Sequence, residues 1–189
     1  MKIKFESGLA YQRDAINAIV DIFRGQDICT SNFTVYSPEY IAKQKALELN
    51  QIGFANKFLL TESKTFENVQ KIQLRNGLKP STERELDKNL LDFSIEMETG
   101  TGKTYVYLRS IMEMNRQYGF TKFIIVVPSI PIKEGVYKSL QITEEHFKQI
   151  YNHIDYKYFI YNSSSLNEIR DFAVNDKLQI MVNGSGVLK

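Results

Sequence analysis

Apolar positions in the first half of the chain recur mostly at helical spacing. Residues 9–24 carry an apolar face and stop at Gly25, which predicts an amphipathic helix with a glycine at its end. The Ser-Pro pair at 37–38 predicts the start of a second helix, because serine caps a helix and proline is tolerated in its first turn. Residues 66–74 predict a third. We therefore expect residues 1–90 to form a mainly helical N-terminal segment.

The second half of the chain alternates between strand and helix patterns. Residues 93–97 alternate apolar and polar side chains, as a half-buried strand does, and residues 123–127 form an unbroken apolar run typical of a strand buried on both faces of a parallel sheet. The other predicted helices follow residue 104 and cover residues 133–140, 144–154 and 165–174, and the other predicted strands cover residues 156–161 and 178–182. Ser165 and Glu168 form a capping box, which predicts the start of the last helix. This alternation predicts an α/β fold, a parallel sheet flanked by helices, over residues 91–189.

A glycine-rich loop follows the predicted strand at 93–97. Residues 97–104 read Met-Glu-Thr-Gly-Thr-Gly-Lys-Thr, which matches the P-loop pattern except at Met97, where the pattern has glycine. Glycines let backbone N–H groups approach a phosphate, and the helix that follows adds the positive end of its dipole. Lys103 would neutralise the β- and γ-phosphates, and the Thr104 hydroxyl would bind Mg²⁺. The predicted nucleotide-binding residues of the loop are Thr99, Gly100, Thr101, Gly102, Lys103 and Thr104.

Composition limits the classes of protein that remain. The 189 residues are 43% hydrophobic and 24% charged, which are ordinary values for one globular domain, or one domain with an appendage. The net charge of +2 is too small to indicate a nucleic-acid partner by itself. Cys29 is the single cysteine, so no intramolecular disulfide can form, and a reducing cytoplasm is expected. No apolar run approaches the roughly 20 residues of a membrane helix, so we expect no membrane partner.

The Thr-Gly-x-Gly-Lys-Thr form of the loop resembles that of superfamily 2 helicases and translocases, which have a RecA-like motor domain. Gln12 is similar to the adenine-reading glutamine of that family, although a glutamine near a helix start is also a good surface residue. The Val-Val-Pro-Ser segment ending at Ser129 resembles a motif that contacts the nucleic-acid backbone. The resemblance implies DNA contacts at Pro128 and Ser129, whereas a plain helix N-cap would also explain the serine.

A closer resemblance is to the Res subunit of type III restriction enzymes. It rests on residues 96–109, 123–129 and 132–136, extends from Tyr11 to about Val182, and includes methionine at the first loop position. It implies a large bacterial hydrolase with two RecA-like domains and a nuclease domain. Such a protein uses ATP and Mg²⁺ to translocate on duplex DNA and cleave it, together with a modification methyltransferase subunit. Lys103 would be its catalytic lysine.

The resemblance also implies an Asp-Glu metal motif after the predicted strand at 178–182, where this sequence continues Asn-Gly-Ser-Gly-Val-Leu-Lys. P-loop NTPases hold Mg²⁺ with the loop hydroxyl and an acidic residue on a neighbouring strand. We therefore expect nucleotide binding with negligible turnover from this chain alone. Three explanations for this departure from the family pattern remain open: a natural truncation, a frameshift product and a cloned fragment. The alternative is an inactive nucleotide-binding remnant. A P-loop kinase is a third, weaker hypothesis, because no substrate-binding lid is evident.

Overall fold

The structure, a computed structural model, describes residues 8–35, 51–82 and 91–184. The described residues fall into two compact units. The first comprises those within Met1–Asp27 and Phe58–Tyr118, and the second those within Ile28–Lys57 and Gly119–Lys189.

The described part of the first unit contains three α-helices and a short 3-10 helix. These elements are α1 (Ala10–Val20), the 3-10 helix (Asp21–Phe23), α2 (Glu62–Arg75) and α3 (Lys103–Tyr118). Helix α1 packs against α3, and α2 packs against the 3-10 helix. The Tyr118 hydroxyl donates to the Val20 carbonyl over 3.1 Å, which ties the end of α3 to the end of α1. The glycine-rich segment at 97–102 precedes α3, so the packing of α1 on α3 positions the helix that follows this loop.

A buried amide holds α2 to the chain that follows α1. The Asn68 side chain is 3% exposed, and its Nδ2 donates to the carbonyls of Ile22, at 3.0 Å, and Arg24, at 2.8 Å. Arg75 forms an ion pair with Asp21 at 2.6 Å on the same stretch. The two Asn68 hydrogen bonds satisfy carbonyls that the end of a helix leaves without intrahelical partners.

The described part of the second unit contains a three-stranded parallel sheet and two helices. Its strands are β3 (Lys122–Val127), β4 (Tyr156–Ile160) and β5 (Leu178–Gly184), in the order β3-β5-β4, and its helices are α4 (Ile130–Ile150) and α5 (Leu166–Val174). The chain passes from β3 through α4 to β4, then returns through α5 to β5. Because parallel crossovers are right-handed, this reversal places the two helices on opposite faces of the sheet.

Side-chain contacts agree with this arrangement. Tyr158 of β4 donates its hydroxyl to Glu144 of α4 at 2.7 Å. The neighbouring residue Lys157 instead contacts Asp171 of α5 at 3.2 Å. Successive side chains of a strand point to opposite faces, so α4 covers one face and α5 the other.

A two-stranded antiparallel sheet of β1 (Thr30–Val35) and β2 (Gln51–Asn56) also belongs to the second unit. The Asn56 side chain connects it to the start of β3. Its Oδ1 accepts from the N–H groups of Thr121 and Lys122, at 2.8 and 3.0 Å, and its Nδ2 donates to the Lys122 carbonyl at 2.7 Å. One side chain thereby pairs with backbone at the end of the sheet.

Most predicted elements are confirmed, with shifted ends. The parallel sheet flanked by helices is present, and the predicted helices at 9–24, 66–74 and 165–174 correspond to α1 with its 3-10 extension, α2 and α5. The Ser165 side chain makes no capping hydrogen bond, so the predicted capping box does not form. The helix predicted to begin at Ser37 lies outside the described residues. The two helices predicted over 133–140 and 144–154 are one helix, α4, because no glycine or proline interrupts residues 141–143.

Two strand predictions are corrected. Residues 93–97 form no strand, and among the described residues no strand pairs with them. Five alternating residues do not make a stable strand without a hydrogen-bonded neighbour. The run at 123–127 is β3, but it is not buried on both faces: Ile124 and Val126 are 55% and 50% exposed on the face opposite α4. Strand β3 is an edge of the described sheet, and α5 does not cover these two side chains.

Candidate phosphate-binding site

The start of helix α3 presents backbone donors to the loop before it. The first hydrogen bond of this helix runs from the Val106 N–H to the Gly102 carbonyl at 3.0 Å. The N–H groups of Lys103 and Thr104 precede that bond and have no acceptor within the helix. They lie at the positive end of a 16-residue helix with no acidic residue in its first turn. This geometry favours an anion.

Both loop glycines adopt a conformation that favours glycine. Gly100 and Gly102 each have φ of +84°. Nothing lies within 4 Å of a Cβ built on Gly100, so the backbone is open to an approaching group there. Met97 is not among the described non-glycine residues with positive φ, which are Asn152 and His153. The first loop position therefore has no conformational need for glycine, and the methionine found there is compatible with the loop.

The Lys103 side chain folds back onto the loop. Its Nζ donates to the carbonyls of Met97, at 2.7 Å, and Glu98, at 2.9 Å. The Thr101 hydroxyl donates to the same Glu98 carbonyl at 2.7 Å. The ammonium thus lies inside the curve of the loop, where an anion bound to the helix N-terminus would meet it. Carbonyl oxygens hold it, so the neighbouring acidic side chains have no part in these bonds.

Thr104 occupies the second position of α3, and its side chain forms a hydrogen bond with the Tyr107 hydroxyl. Burial raises the pKa of Tyr107 above its usual value, and the bond to Thr104 acts against that rise. One turn of helix separates the two residues, so this contact follows from local geometry. The sequence analysis did not predict it, although the i, i+3 spacing was visible.

Gln12 lies against the loop from α1. Its side chain is 8% exposed, and its Nε2 donates to the Thr101 carbonyl at 2.9 Å. The same Nε2 would lie 2.6 Å from a Cβ added to Gly102. The predicted loop residues and Gln12 are therefore brought together within the first unit. Adenine recognition by Gln12 stays a prediction, because the amide nitrogen here bonds the loop backbone.

The two predicted DNA-contacting residues belong to the second unit. Pro128 is exposed at the end of β3, and Ser129 is the N-cap of α4. The Ser129 side chain makes no capping hydrogen bond. Contact of Pro128 and Ser129 with the DNA backbone stays a prediction.

The residues present fit the phosphates of a nucleotide. Glycine backbone, the two N–H groups at the start of α3 and the Lys103 ammonium together form a cradle for phosphate oxygens. Thr104 offers one hydroxyl to Mg²⁺. Within the described ranges, no group of three or more His, Cys, Asp or Glu residues could hold a metal ion. None of the described helices is both long and apolar enough to cross a membrane.

The fold and this loop define an α/β protein with a Gly-Thr-Gly-Lys-Thr loop at the start of a helix. The sequence profile of the family described as "Type III restriction enzyme, res subunit" matches residues 7–182. The chain belongs to this family.

Individual relatives agree with that assignment. The chain is 33% identical over 150 residues to the EcoP15I Res subunit of a type III restriction-modification enzyme from Escherichia coli, covering 77% of this chain and 14% of the relative. It is 31% identical over 154 residues to the EcoPI Res subunit from Escherichia phage P1, covering 78% and 14%. It is 46% identical over 71 residues to the StyLTI Res subunit from Salmonella typhimurium, covering 36% and 7%. The chain thus spans a small part of these relatives' length.

Proposed function

We propose that this chain is the ATP-binding N-terminal portion of a Res subunit. In the complete protein the loop at 97–104 would serve an ATP-dependent motor that moves along duplex DNA before cleavage. The modification methyltransferase subunit of the same system would be its partner, and the cytoplasm its location. The observation that carries the proposal is the position of the Lys103 ammonium, 2.7 and 2.9 Å from two loop carbonyls at the start of α3.

Each residue of the loop has a task in this proposal. ATP supplies the phosphoanhydride whose hydrolysis drives movement. Lys103 exchanges its two carbonyl partners for β- and γ-phosphate oxygens, and Gly100 and Gly102 let backbone N–H groups reach them. Thr104 leaves Tyr107 to place its hydroxyl on Mg²⁺. Gln12 contacts adenine while it holds the loop through Thr101. Pro128 and Ser129 contact the DNA backbone. The division into a mainly helical segment, 1–90, which also contains β1 and β2, and a partial RecA-like motor domain, 91–189, is part of the same proposal.

The test is calorimetric titration with a slowly hydrolysed ATP analogue and Mg²⁺. Wild-type protein should bind with modest affinity, and Lys103→Ala should remove the binding heat, because the charge opposite the phosphates is lost. Lys138→Ala is the matched control, since it removes an exposed lysine from α4. Equal heats for wild type and Lys103→Ala would refute the proposal. An equal loss from Lys138→Ala would show that the effect is general charge.

A further inference from the structure

Strand β4 is an edge of the parallel sheet and lies at the base of a groove. Among the described strands it pairs with β5 alone. The groove has a volume of about 530 Å³. Helix α4 forms one wall and α5 the other. The lining residues include Tyr137, Glu144, Lys157, Tyr158, Glu168 and Asp171.

The backbone of β4 offers hydrogen-bonding groups to this groove. The Tyr161 N–H, just beyond the strand, donates to the Val182 carbonyl of β5 at 2.8 Å. Backbone groups of alternate residues point to the same side of a strand, so odd-numbered residues face β5. The N–H and C=O groups of Tyr156, Tyr158 and Ile160 therefore face away from β5, toward the open edge. An exposed strand edge of this kind is a template for another extended chain.

The two walls differ in chemistry. On the α4 side, the rings of Tyr137 and Tyr158 meet edge to face with centroids 5.5 Å apart, which gives an apolar, aromatic surface. On the α5 side stand Glu168, which is exposed, and Asp171, whose carboxylate contacts Lys157. With Glu144, the lining holds three carboxylates and one ammonium. Glu144 is paired with Lys148 at 2.7 Å and Asp171 with Lys157 at 3.2 Å, so the negative charge of the groove is concentrated on the α5 wall, at the exposed Glu168.

We propose that this groove binds an extended, basic peptide segment of a partner protein, which adds to the sheet as a strand alongside β4. Side chains of an added strand alternate between the faces. Lysine or arginine side chains would face Glu168 and Asp171, and apolar side chains would face the Tyr137 and Tyr158 rings. Backbone hydrogen bonds to β4 would hold the segment, and the acidic wall would select its charge. The proposal is independent of the P-loop, which belongs to the other unit.

The probe is a fluorescein-labelled Lys-Val-Lys-Val-Lys-Val-Lys peptide, titrated with the full chain and followed by anisotropy. Two further peptides carry N-methyl groups on the valines or on the lysines. In a bound strand the N–H groups of the valines point to one side and those of the lysines to the other, so only one of these two sets can donate to β4. The peptide methylated on that set should lose binding, and the other N-methyl peptide should retain it. The Glu-Val counterpart should not bind.

Hydrogen exchange and a matched variant pair complete the test. Peptide binding should protect the amides of Tyr156, Tyr158 and Ile160. Glu168→Lys should weaken binding about tenfold, which corresponds to about 1.4 kcal/mol, because repulsion of the basic peptide replaces attraction. Glu134→Lys makes the same charge change on α4 outside the groove and should have little effect.

Several results would overturn the proposal. These are absence of binding, equal binding by the two N-methyl peptides, equal binding by the Glu-Val peptide, or unchanged exchange in β4. Equal weakening by Glu168→Lys and Glu134→Lys would also do so, because it would assign the effect to net charge. The circular dichroism spectra of Glu168→Lys and Glu134→Lys must match that of wild type, which shows that both variants fold. The binding results for the peptide series use the unsubstituted chain and do not depend on these variants.

Discussion

The contact between Gln12 and Gly102 allows one loop interaction to be isolated by substitution. Gly100 and Gly102 share a φ of +84°, and a non-glycine residue in this region costs about 1 to 2 kcal/mol. The two positions differ in surroundings: nothing lies near a Cβ on Gly100, whereas a Cβ on Gly102 would lie 2.6 Å from Gln12 Nε2. Gly100→Ala is therefore a matched control for Gly102→Ala.

The excess cost of Gly102→Ala follows from what Gln12 would lose. Nε2 is the far end of a flexible side chain, so it can move aside. Moving breaks its 2.9 Å hydrogen bond to the Thr101 carbonyl, and such a bond contributes about 1 kcal/mol net. We expect Gly100→Ala to destabilise the chain through φ alone, and Gly102→Ala to cost about 1 kcal/mol more. Replacing glycine with alanine also lowers the conformational entropy of the unfolded chain, and this stabilising contribution is the same for both substitutions.

Urea unfolding of four proteins measures this difference: both alanine variants, each in the wild-type and the Gln12→Ala background. In the Gln12→Ala background the hydrogen bond is already absent, so the excess should disappear. If Gly102→Ala costs no more than Gly100→Ala in the wild-type background, the contact contributes nothing. If the excess persists without Gln12, another neighbour causes it. Either result would refute this account of the loop.

Two further predictions concern stability. Asn68→Ala should lower the free energy of unfolding by about 1 to 3 kcal/mol, because the buried Ile22 carbonyl and the part-buried Arg24 carbonyl lose their donor; urea unfolding measures it, and a change within error would contradict the role of Asn68. Hydrogen bonds from Lys148 and then Tyr158 lower the pKa of Glu144, so its contribution is present above the ordinary glutamate pKa and is lost as pH falls through the lower folded pKa. The melting temperature of Glu144→Gln should therefore fall less steeply with acidification than that of wild type, and parallel curves would contradict this.

Local pattern predicted the helices of this chain better than its sheets. Helix α1, its 3-10 extension to Phe23 and the turn at Gly25 follow from apolar spacing and a glycine, both visible within a few residues. Helix α4 ends at Ile150, and Asn152 and His153 just beyond it adopt positive φ, with the His153 N–H bonded to the Lys148 carbonyl. Neither residue is a glycine, so no residue type in the sequence indicated where helix α4 ends.

Strands depend on partners that are distant in sequence. The pairing of Phe33 with Gly53 joins residues on either side of a segment in which the sequence predicts a helix from Ser37, so the β1–β2 sheet was not predicted. The opposite error occurred at residues 93–97, where alternation without a partner strand predicted a strand that is absent. Burial depends on neighbours in the same way, which is why the exposed face of β3 was missed.

The candidate site shows the same division. The residue types at 97–104 identified the loop because the motif is contiguous in sequence. Its contact with Gln12 spans 89 positions, and Lys103 bonds to backbone carbonyls. Sequence patterns do not encode either geometry, so these contacts required coordinates.

The most direct test of the central claim is an amide NMR titration of the isotope-labelled chain with a slowly hydrolysed ATP analogue and Mg²⁺. The account predicts that the N–H resonances of Gly100, Gly102, Lys103 and Thr104 shift together and saturate, while those of β4 remain in place. Unchanged loop resonances at saturating analogue, or shifts confined to other residues, would contradict the assignment of residues 97–104 as the nucleotide-binding loop.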